Sequence, residues 1–562
     1  MALKTKNLYF TYLNQESPVL NDISVSFEGN KIYLLLGPSG GGKSSLVNIL
    51  AGIIPNNIKG ETKGNLSFDG KSILEEESYE RANKTGYIMQ DADTQFCTYK
   101  VEDELVFGLE NLKFSKEEME KRINYVLDIL GIEHLRYRAL NTLSGGQKQK
   151  IAIASVLVLD PPIIIFDEPT ANLDPVTSKE IFQIIKMLKE NYNKTIIIIE
   201  HKLDYLIEYV DYIFVFSSNG YIVNEGTPKN VFEDLIYSES SPSFHYPKII
   251  DIWKSLKLPY NDISFDINEA GKYLGKRYNY IENSTEETVQ ADQNKFLSVS
   301  NISYRINDKQ IINDLTFGIN KGDFLAIVGP NGAGKSTLGG ILLNLYKDYK
   351  GEVLIDDKSI KSYKRSDLWK KAGLVFQNPE WQFVSYSVKE ELEYSLKDSN
   401  LSKEEKEEKI DQCLERFKLL EFKDSNPYLL SQGQKRRLSV ATMLVTGQDL
   451  LILDEPTYGQ DYDNQVELLE YMSALNSNGM TIIMITHDMD AVVKYCNKVL
   501  ILKDGSSIYF GDNKDLFKDN CILKEANLLK PIYSDVLDKM NSNHTKIPTN
   551  IEGFIESLKE KE

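Results

Sequence analysis

Gly37-Pro38-Ser39-Gly40-Gly41-Gly42-Lys43-Ser44 follows the apolar run Ile32-Tyr33-Leu34-Leu35-Leu36 and leads into Ser45-Leu46-Val47-Asn48-Ile49-Leu50. That order reads as buried strand, glycine-rich turn and helix start. The spacing G-x-x-x-x-G-K-S is that of a loop that cradles phosphate. Glycines let backbone N–H groups close around phosphate oxygens, and the helix N-terminus adds the positive end of its dipole. In that geometry Lys43 reaches the β and γ phosphates, and the Ser44 hydroxyl ligates Mg2+. The plain alternative is a glycine-rich turn that happens to precede a helix. A second occurrence counts against it: Gly329-Pro330-Asn331-Gly332-Ala333-Gly334-Lys335-Ser336-Thr337 follows the apolar run Phe324-Leu325-Ala326-Ile327-Val328.

Further pairs recur around the two loops. Ser336 lies 292 residues after Ser44; Gln377, Ser431 and Asp454 each lie 287 after Gln90, Ser144 and Asp167; His487 lies 286 after His201. A near-constant offset over separate motifs marks a duplicated domain. The fall from 292 to 287 puts a five-residue deletion between loop and glutamine in the second copy, and the turn Pro55-Asn56-Asn57-Ile58-Lys59-Gly60 of the first is its expected place.

A chain of 562 residues is too long for one core, and 41% hydrophobic with 26% charged residues describes an ordinary globular protein. No run of eighteen apolar residues occurs, and Met1-Ala2-Leu3-Lys4-Thr5-Lys6 lacks the apolar core of a secretory signal. Cys97, Cys413, Cys496 and Cys521 are far apart, which supports neither disulfides nor zinc and fits a reducing cytosol. The net charge of −18, from 65 basic and 83 acidic residues, makes nucleic acid a poor partner.

Leu143-Ser144-Gly145-Gly146-Gln147 precedes a helical pattern over 148–159, and an apolar run then ends in Phe166-Asp167-Glu168-Pro169-Thr170. The second copy reads Leu430-Ser431-Gln432-Gly433-Gln434, then Leu450-Leu451-Ile452-Leu453-Asp454-Glu455-Pro456-Thr457. An apolar run ending in Asp-Glu describes a buried strand that delivers two carboxylates at its C-terminal end, where α/β sheets bind ligands. Asp167 or Asp454 would hold Mg2+, and Glu168 or Glu455 would orient or deprotonate an attacking water. Such a pair alone is more often a solvated strand end; its setting favours chemistry. His201 follows Ile196-Ile197-Ile198-Ile199-Glu200, and His487 follows Ile482-Ile483-Met484-Ile485-Thr486.

Phosphate loop, Gln90 or Gln377, L-S-x-G-Q, Asp-Glu and His, in this order, resemble the nucleotide-binding domains of ABC ATPases over nearly all of both halves. The resemblance implies an α/β fold of two tandem P-loop NTPase (ABC ATPase) domains, each with a helical subdomain, and ATP and Mg2+ as cofactors. It implies intramolecular head-to-tail pairing. One ATP would lie between Gly37, Pro38, Ser39, Gly40, Gly41, Gly42, Lys43, Ser44, Ser45 and Ser431, Gly433, Gln434. The other would lie between Gly329, Pro330, Asn331, Gly332, Ala333, Gly334, Lys335, Ser336, Thr337 and Ser144, Gly145, Gly146, Gln147. The metal-holding residues so implied are Ser44, Gln90 and Asp167, with Ser336, Gln377 and Asp454 in the second copy. Glu168, His201, Glu455 and His487 are the catalytic set, the histidines matching the family's switch histidine at the γ phosphate. Asp174 in Ala171-Asn172-Leu173-Asp174 matches a loop at the dimer interface; the second copy reads Tyr458-Gly459-Gln460-Asp461. Tyr12 matches the aromatic that stacks on adenine, although ordinary core explains it equally. Its counterpart is Ile306, which cannot stack. Gln432, where the first copy has Gly145, puts a side chain at the expected interface.

The organisation expected is 1–240 first ABC ATPase domain, 241–282 helical appendage, 283–294 connector, 295–515 second domain and 516–562 second appendage. The appendages rest on Pro247-Lys248-Ile249-Ile250-Asp251-Ile252-Trp253, which has helical apolar spacing and a likeness to Pro531-Ile532-Tyr533-Ser534-Asp535-Val536-Leu537. Unrelated amphipathic helices remain the alternative. Residues 283–294 read as a polar connector.

Gln90-Asp91-Ala92-Asp93-Thr94-Gln95-Phe96 and Gln377-Asn378-Pro379-Glu380-Trp381-Gln382-Phe383, each followed by an acidic-apolar helix start, look like the ATPases of energy-coupling factor (ECF-type) importers. There this region docks helices of the membrane subunit. The resemblance implies integral membrane partners, a scaffold and a substrate-binding component, with the chain peripheral on the cytoplasmic face of the membrane, powering uptake of a vitamin, related micronutrient or metal ion. A merely polar surface helix is the alternative at these residues. Two other readings stay open: a tandem ABC protein acting on ribosomes, and the double ATPase of sugar importers. Against the first, residues 241–294 carry six basic and eight acidic side chains, the wrong sign for an RNA-facing arm.

Overall fold

The structure, a computed structural model, describes residues 2–13, 15–171, 173–237, 244, 246–281, 295–307, 309–457, 462–517, 520–540, 548 and 550–561. The expected connector 283–294 falls outside them, as do Asn172 and the stretch Tyr458-Gly459-Gln460-Asp461. The chain forms two compact units, Met1–Ala270 and Gly271–Glu562.

In the first unit, apolar runs such as Ile32–Leu36 and Ile163–Asp167 are buried along their whole length. Runs apolar on both faces belong inside a parallel sheet covered on either side. That sheet has six strands in the order Ile222–Gly226, Tyr212–Phe216, Ile32–Leu36, Thr195–Ile199, Ile163–Asp167, Thr85–Ile88. Only the edge strand Ile222–Gly226 runs antiparallel. A separate antiparallel sheet is built on Ala2–Tyr12 and Gly60–Phe68. Leu3, Phe10 and Phe27 from this second sheet join Leu35, Leu46 and Ile197 in one core cluster.

The second unit repeats the plan. Its sheet runs Ala372–Val375, Leu450–Asp454, Thr481–Ile485, Phe324–Val328, Lys498–Lys503, Ser506–Asp512, beside an antiparallel sheet built on Lys295–Ile306, Lys309–Asn320 and Lys350–Ile355. In both units the phosphate-loop strand lies beside the histidine strand, which lies beside the Asp-Glu strand. Their ends are level, with Leu35 and Asp167 both paired to Ile199, and Ile327 and Asp454 both paired to Ile485. Three parallel strands ending together form the crevice in which α/β sheets take ligands.

A helical layer follows the Gln segment in each unit: Val101–Asn111, Lys116–Leu130 and Gly145–Leu157, then Val388–Ser395, Lys403–Arg416 and Gln432–Leu444. Their apolar stripes bury Leu105, Leu109, Ile123 and Leu127 in the first unit and Leu392, Ile410, Leu414 and Leu438 in the second.

The copies diverge after the loop helix. Helix Lys43–Ala51 ends against the buried guanidinium of Arg81, which donates to Ile49 O at 3.0 Å and Leu50 O at 3.1 Å, satisfying carbonyls the helix leaves open. Leu368 stands at the matching place of the second unit, where the loop helix is only Lys335–Leu342.

Beyond the ATPase-like parts, helices Lys248–Ser255 and Ile267–Arg277 come from the stretch expected as first appendage, and Ile532–Lys539 and Ile551–Glu556 from the second. The boundary between the compact units falls inside Ile267–Arg277. Strand Tyr278–Tyr280 pairs antiparallel with Leu558–Glu560, so residues 278–280 belong to the second unit. No helix among the described residues is long and apolar enough to cross a membrane.

Candidate nucleotide sites

Each phosphate loop leaves its strand through a glycine that no other residue replaces. A Cβ at Gly37 would lie 2.4 Å from Phe216 O, and one at Gly329 would lie 2.0 Å from Leu502 O. Gly42 and Gly334 then start the helices in the left-handed region, at φ 87° and 97°, without a side-chain cap. The first N–H groups of each helix therefore face the loop with the positive end of the helix dipole. Lys43 is buried and its Nζ donates to Gly37 O and Pro38 O, both at 2.8 Å. Lys335 Nζ donates to Gly329 O at 2.8 Å and Pro330 O at 3.0 Å. Burial lowers Lys43 to about 8, against the pull of Glu168 and Asp167.

Asp167 ends its strand, and its Oδ2 accepts from the Tyr87 hydroxyl at 2.8 Å. Burial lifts this carboxyl above the usual range, with the Tyr87 bond and Lys43 opposing. Glu168 follows at φ 47°, and its carboxylate receives Gln90 Nε2 at 2.8 Å and lies 3.1 Å from His201 Nε2. Burial alone would raise Glu168; the bond and charge of His201, with Lys43, carry it below the ordinary value. Lys43, Gln90, Asp167, Glu168 and His201 thus form one polar cluster.

In the second unit Glu455 also has φ 47°, and His487 Nδ1 lies 3.1 Å from its Oε1 and 3.0 Å from its Oε2. Asp454 is raised by burial and lowered in part by a hydrogen bond from Ser336. Its Oδ1 is buried without a hydrogen-bond partner among the described residues. A buried carboxylate oxygen left without a donor costs about 1–3 kcal/mol. Beside a serine hydroxyl, such an oxygen fits a hard divalent cation that takes oxygen ligands.

The signature residues sit at the head of a helix in the helical layer. Ser144 and Gln147 form a reciprocal capping box, with Ser144 N to Gln147 Oε1 at 3.0 Å, and Ser431 and Gln434 form the same box at 2.8 Å. Gln432 is the first helical residue and is exposed, so it leaves this cap intact. Tyr12 packs edge-on against Phe10 with centroids 4.7 Å apart, and its hydroxyl shares a hydrogen bond with Ser45 Oγ at 2.8 Å. Ile306 is exposed. Asp174 caps the helix Pro175–Tyr192 by accepting from Thr177 N at 2.9 Å.

Three features escaped the sequence reading. Tyr87 binds Asp167, where the second copy has Leu374. Glu200, buried before His201, accepts from Thr170 Oγ1 at 2.7 Å and His201 N at 2.8 Å, where the second copy has Thr486. Arg436, buried in the signature helix, donates to Phe376 O, Gln377 O and Glu455 O, where the first copy has Gln149. Setting the two copies side by side would have flagged all three as differences next to the chemistry.

The sequence profile described as ABC transporter matches residues 20–171 and 312–458. A protein of Bacillus subtilis (strain 168), with the provisional name HMP/thiamine import ATP-binding protein YkoD, is 37% identical over 535 residues, covering 94% of this chain and 95% of that one. A provisionally named ABC transporter ATP-binding protein of Clostridium perfringens (strain 13 / Type A) is 32% identical over 555 residues, covering 97% and 96%. A solved chain from the complex of the archaeal ribosomal stalk protein aP1 and the ribosome recycling factor aABCE1 shares the fold, with TM-score 0.58 at 20% identity over 91% of each chain. Two matched domains, and relatives alike over nearly the whole length, show that the chain belongs to the ABC transporter ATP-binding proteins and is an ATPase that uses ATP with Mg2+.

Proposed function

We propose that the chain is the motor subunit of an importer of the energy-coupling factor type, peripheral on the cytoplasmic face of the membrane. It powers uptake of a vitamin, a vitamin precursor or a metal ion through a membrane scaffold and a substrate-binding component. The observation that carries this reading is the likeness, over 94% of the chain, to a relative named for HMP/thiamine import. The domain plan follows it: two ATPase domains at 1–240 and 295–515, appendages at 241–282 and 516–562, and a connector at 283–294.

The surface beside each Gln segment supports a membrane partner. In the second unit, Trp381, Val384, Tyr386, Tyr428 and Leu429 are exposed, with Tyr386 at 87% and Leu429 at 84%. Their loops are joined by Val388 N to Ser425 O at 3.0 Å and by Tyr428 OH to Phe383 O at 3.2 Å. The first unit exposes Tyr99, Phe107 and Tyr137. Apolar side chains gathered in one exposed region mark a partner surface. Gln95 and Gln382 turn inward from these loops to the signature helices, Gln95 Nε2 to Ala152 O at 3.1 Å and Gln382 Nε2 to Ser439 O at 2.8 Å. A displacement of the docked loop therefore reaches the segment that would close on ATP.

In the proposed cycle the units pair head to tail, and each ATP is held by one phosphate loop and the opposite signature. Tyr12 would pack on one adenine. Lys43 and Lys335 take the β and γ phosphates. Ser44, Gln90 and Asp167, and Ser336, Gln377 and Asp454, would hold Mg2+, which supplies positive charge to the phosphate oxygens. Glu168 and Glu455 accept the proton as water attacks the γ phosphorus and ADP leaves; His201 and His487 orient that carboxylate and meet the γ phosphate. Purification of the tagged chain from its native membranes tests the importer reading. Integral membrane proteins should co-purify. Recovery of ribosomes without any membrane protein overturns it.

A further inference from the structure

We propose that Arg436 is a positioning residue that presets the second catalytic centre through the backbone, a device the first centre lacks; this rests on the reading of Glu455 as the catalytic carboxylate. Arg436 is 2% exposed. Nη1 donates to Phe376 O at 2.5 Å, and Nη2 donates to Gln377 O at 2.6 Å and Glu455 O at 3.2 Å. These carbonyls belong to two different loops, one carrying the glutamine and the other following the Asp-Glu strand. One rigid fork therefore fixes the backbone from which both Gln377 and Glu455 project.

The position is one where such a clamp has work to do. Glu455 sits at φ 47°, a left-handed conformation unfavourable for a residue with a Cβ, and its carbonyl direction follows from that conformation. The arginine holds that carbonyl. Burial lowers the guanidinium to about 10, so it stays charged at neutral pH, and Asp454 and Glu455 favour that charge.

The first unit has the same φ at Glu168 but not the clamp. Gln149 replaces Arg436, and its Nε2 is buried without a hydrogen-bond partner among the described residues. An amide offers two donors on a shorter stem and cannot span both loops as a guanidinium with five donors does. Side chains order the first centre instead: Tyr87 on Asp167 and Gln90 on Glu168. The second unit has Leu374 in place of Tyr87 and thus no hydroxyl there.

The test is single-turnover ATP hydrolysis by the full-length chain in excess over ATP, in two backgrounds that isolate one centre each. With Glu168→Gln, Arg436→Gln should lower the rate at saturating protein about tenfold while the half-saturating concentration moves less than about twofold, and Arg436→Lys should fall between. With Glu455→Gln, Arg436→Gln should lower the rate by less than about threefold, because toward the first ATP the arginine stands only behind the Ser431–Gln434 cap, whose bonds it does not make. An unchanged rate in the first background, or an equal fall in both, overturns the proposal. Where Arg436→Gln is recovered unfolded, the reciprocal Gln149→Arg decides: in the Glu455→Gln background it should raise the rate about threefold, and no rise overturns the proposal. Hydrolysis surviving in Glu168→Gln with Glu455→Gln would instead overturn the catalytic reading itself.

Discussion

The two centres carry the same lysine, serine, glutamine, aspartate, glutamate and histidine, yet they are wired differently. In the first, Glu168 is held through its carboxylate, by Gln90 on one oxygen and His201 on the other. In the second, His487 approaches both oxygens of Glu455, and Arg436 also holds its main-chain carbonyl. The residues proposed for the chemistry are matched one for one; Tyr87 and Leu374, Gln149 and Arg436, Glu200 and Thr486 are not. The two copies thus keep the same candidate reactive groups on different supporting groups. Functional asymmetry between such sites is then to be sought one layer behind the motifs.

Three experiments press on this contrast. The largest effect should come from the carboxylates: Glu168→Gln together with Glu455→Gln should lower steady-state ATP hydrolysis more than about 100-fold, and a double variant retaining wild-type phosphate release would deny both centres their assigned base. Comparing the two single variants then shows which wiring supports faster turnover. A smaller effect should follow Tyr87→Phe, which frees Asp167 Oδ2 in the first unit only. With the second centre silenced by Glu455→Gln, the Mg2+ concentration for half-maximal hydrolysis should shift by roughly fivefold, since one hydrogen bond to a carboxylate is worth about 1 kcal/mol. An unchanged Mg2+ dependence would remove Tyr87 from the account. The smallest effect is expected for Gln432→Gly. Its side chain is exposed and the Ser431–Gln434 cap does not involve it, so hydrolysis should stay within about twofold. A large gain would mean that Gln432 crowds the closed ATP-bound state.

Much of the molecule was legible because its signals are local. A loop entered from a buried strand needs glycine at Gly37 and Gly329, where a Cβ would strike a neighbouring carbonyl, so the spacing of glycines reports the turn directly. Sheet order was less accessible. Nothing in Ile163–Asp167 says that Thr195–Ile199 lies beside it, although that adjacency brings His201 to Glu168. By resemblance Gln95 and Gln382 mark a docking surface; the structure turns their amides inward onto the signature helices, a direction that no periodicity specifies. Tyr12 likewise follows a family pattern, while its hydroxyl finds Ser45 and its ring finds Phe10.

Residue type and short-range spacing are enough to specify the duplication, the glycine loops, the Asp-Glu strand ends and the histidines. Which groups stand behind them depends on how distant segments pack. Arg436 is two residues from Gln434 in the chain, but its partners lie 60, 59 and 19 residues away. A buried guanidinium takes whatever carbonyls the fold brings within reach of it, and that is settled by packing between strands and helices rather than by any stretch of sequence alone.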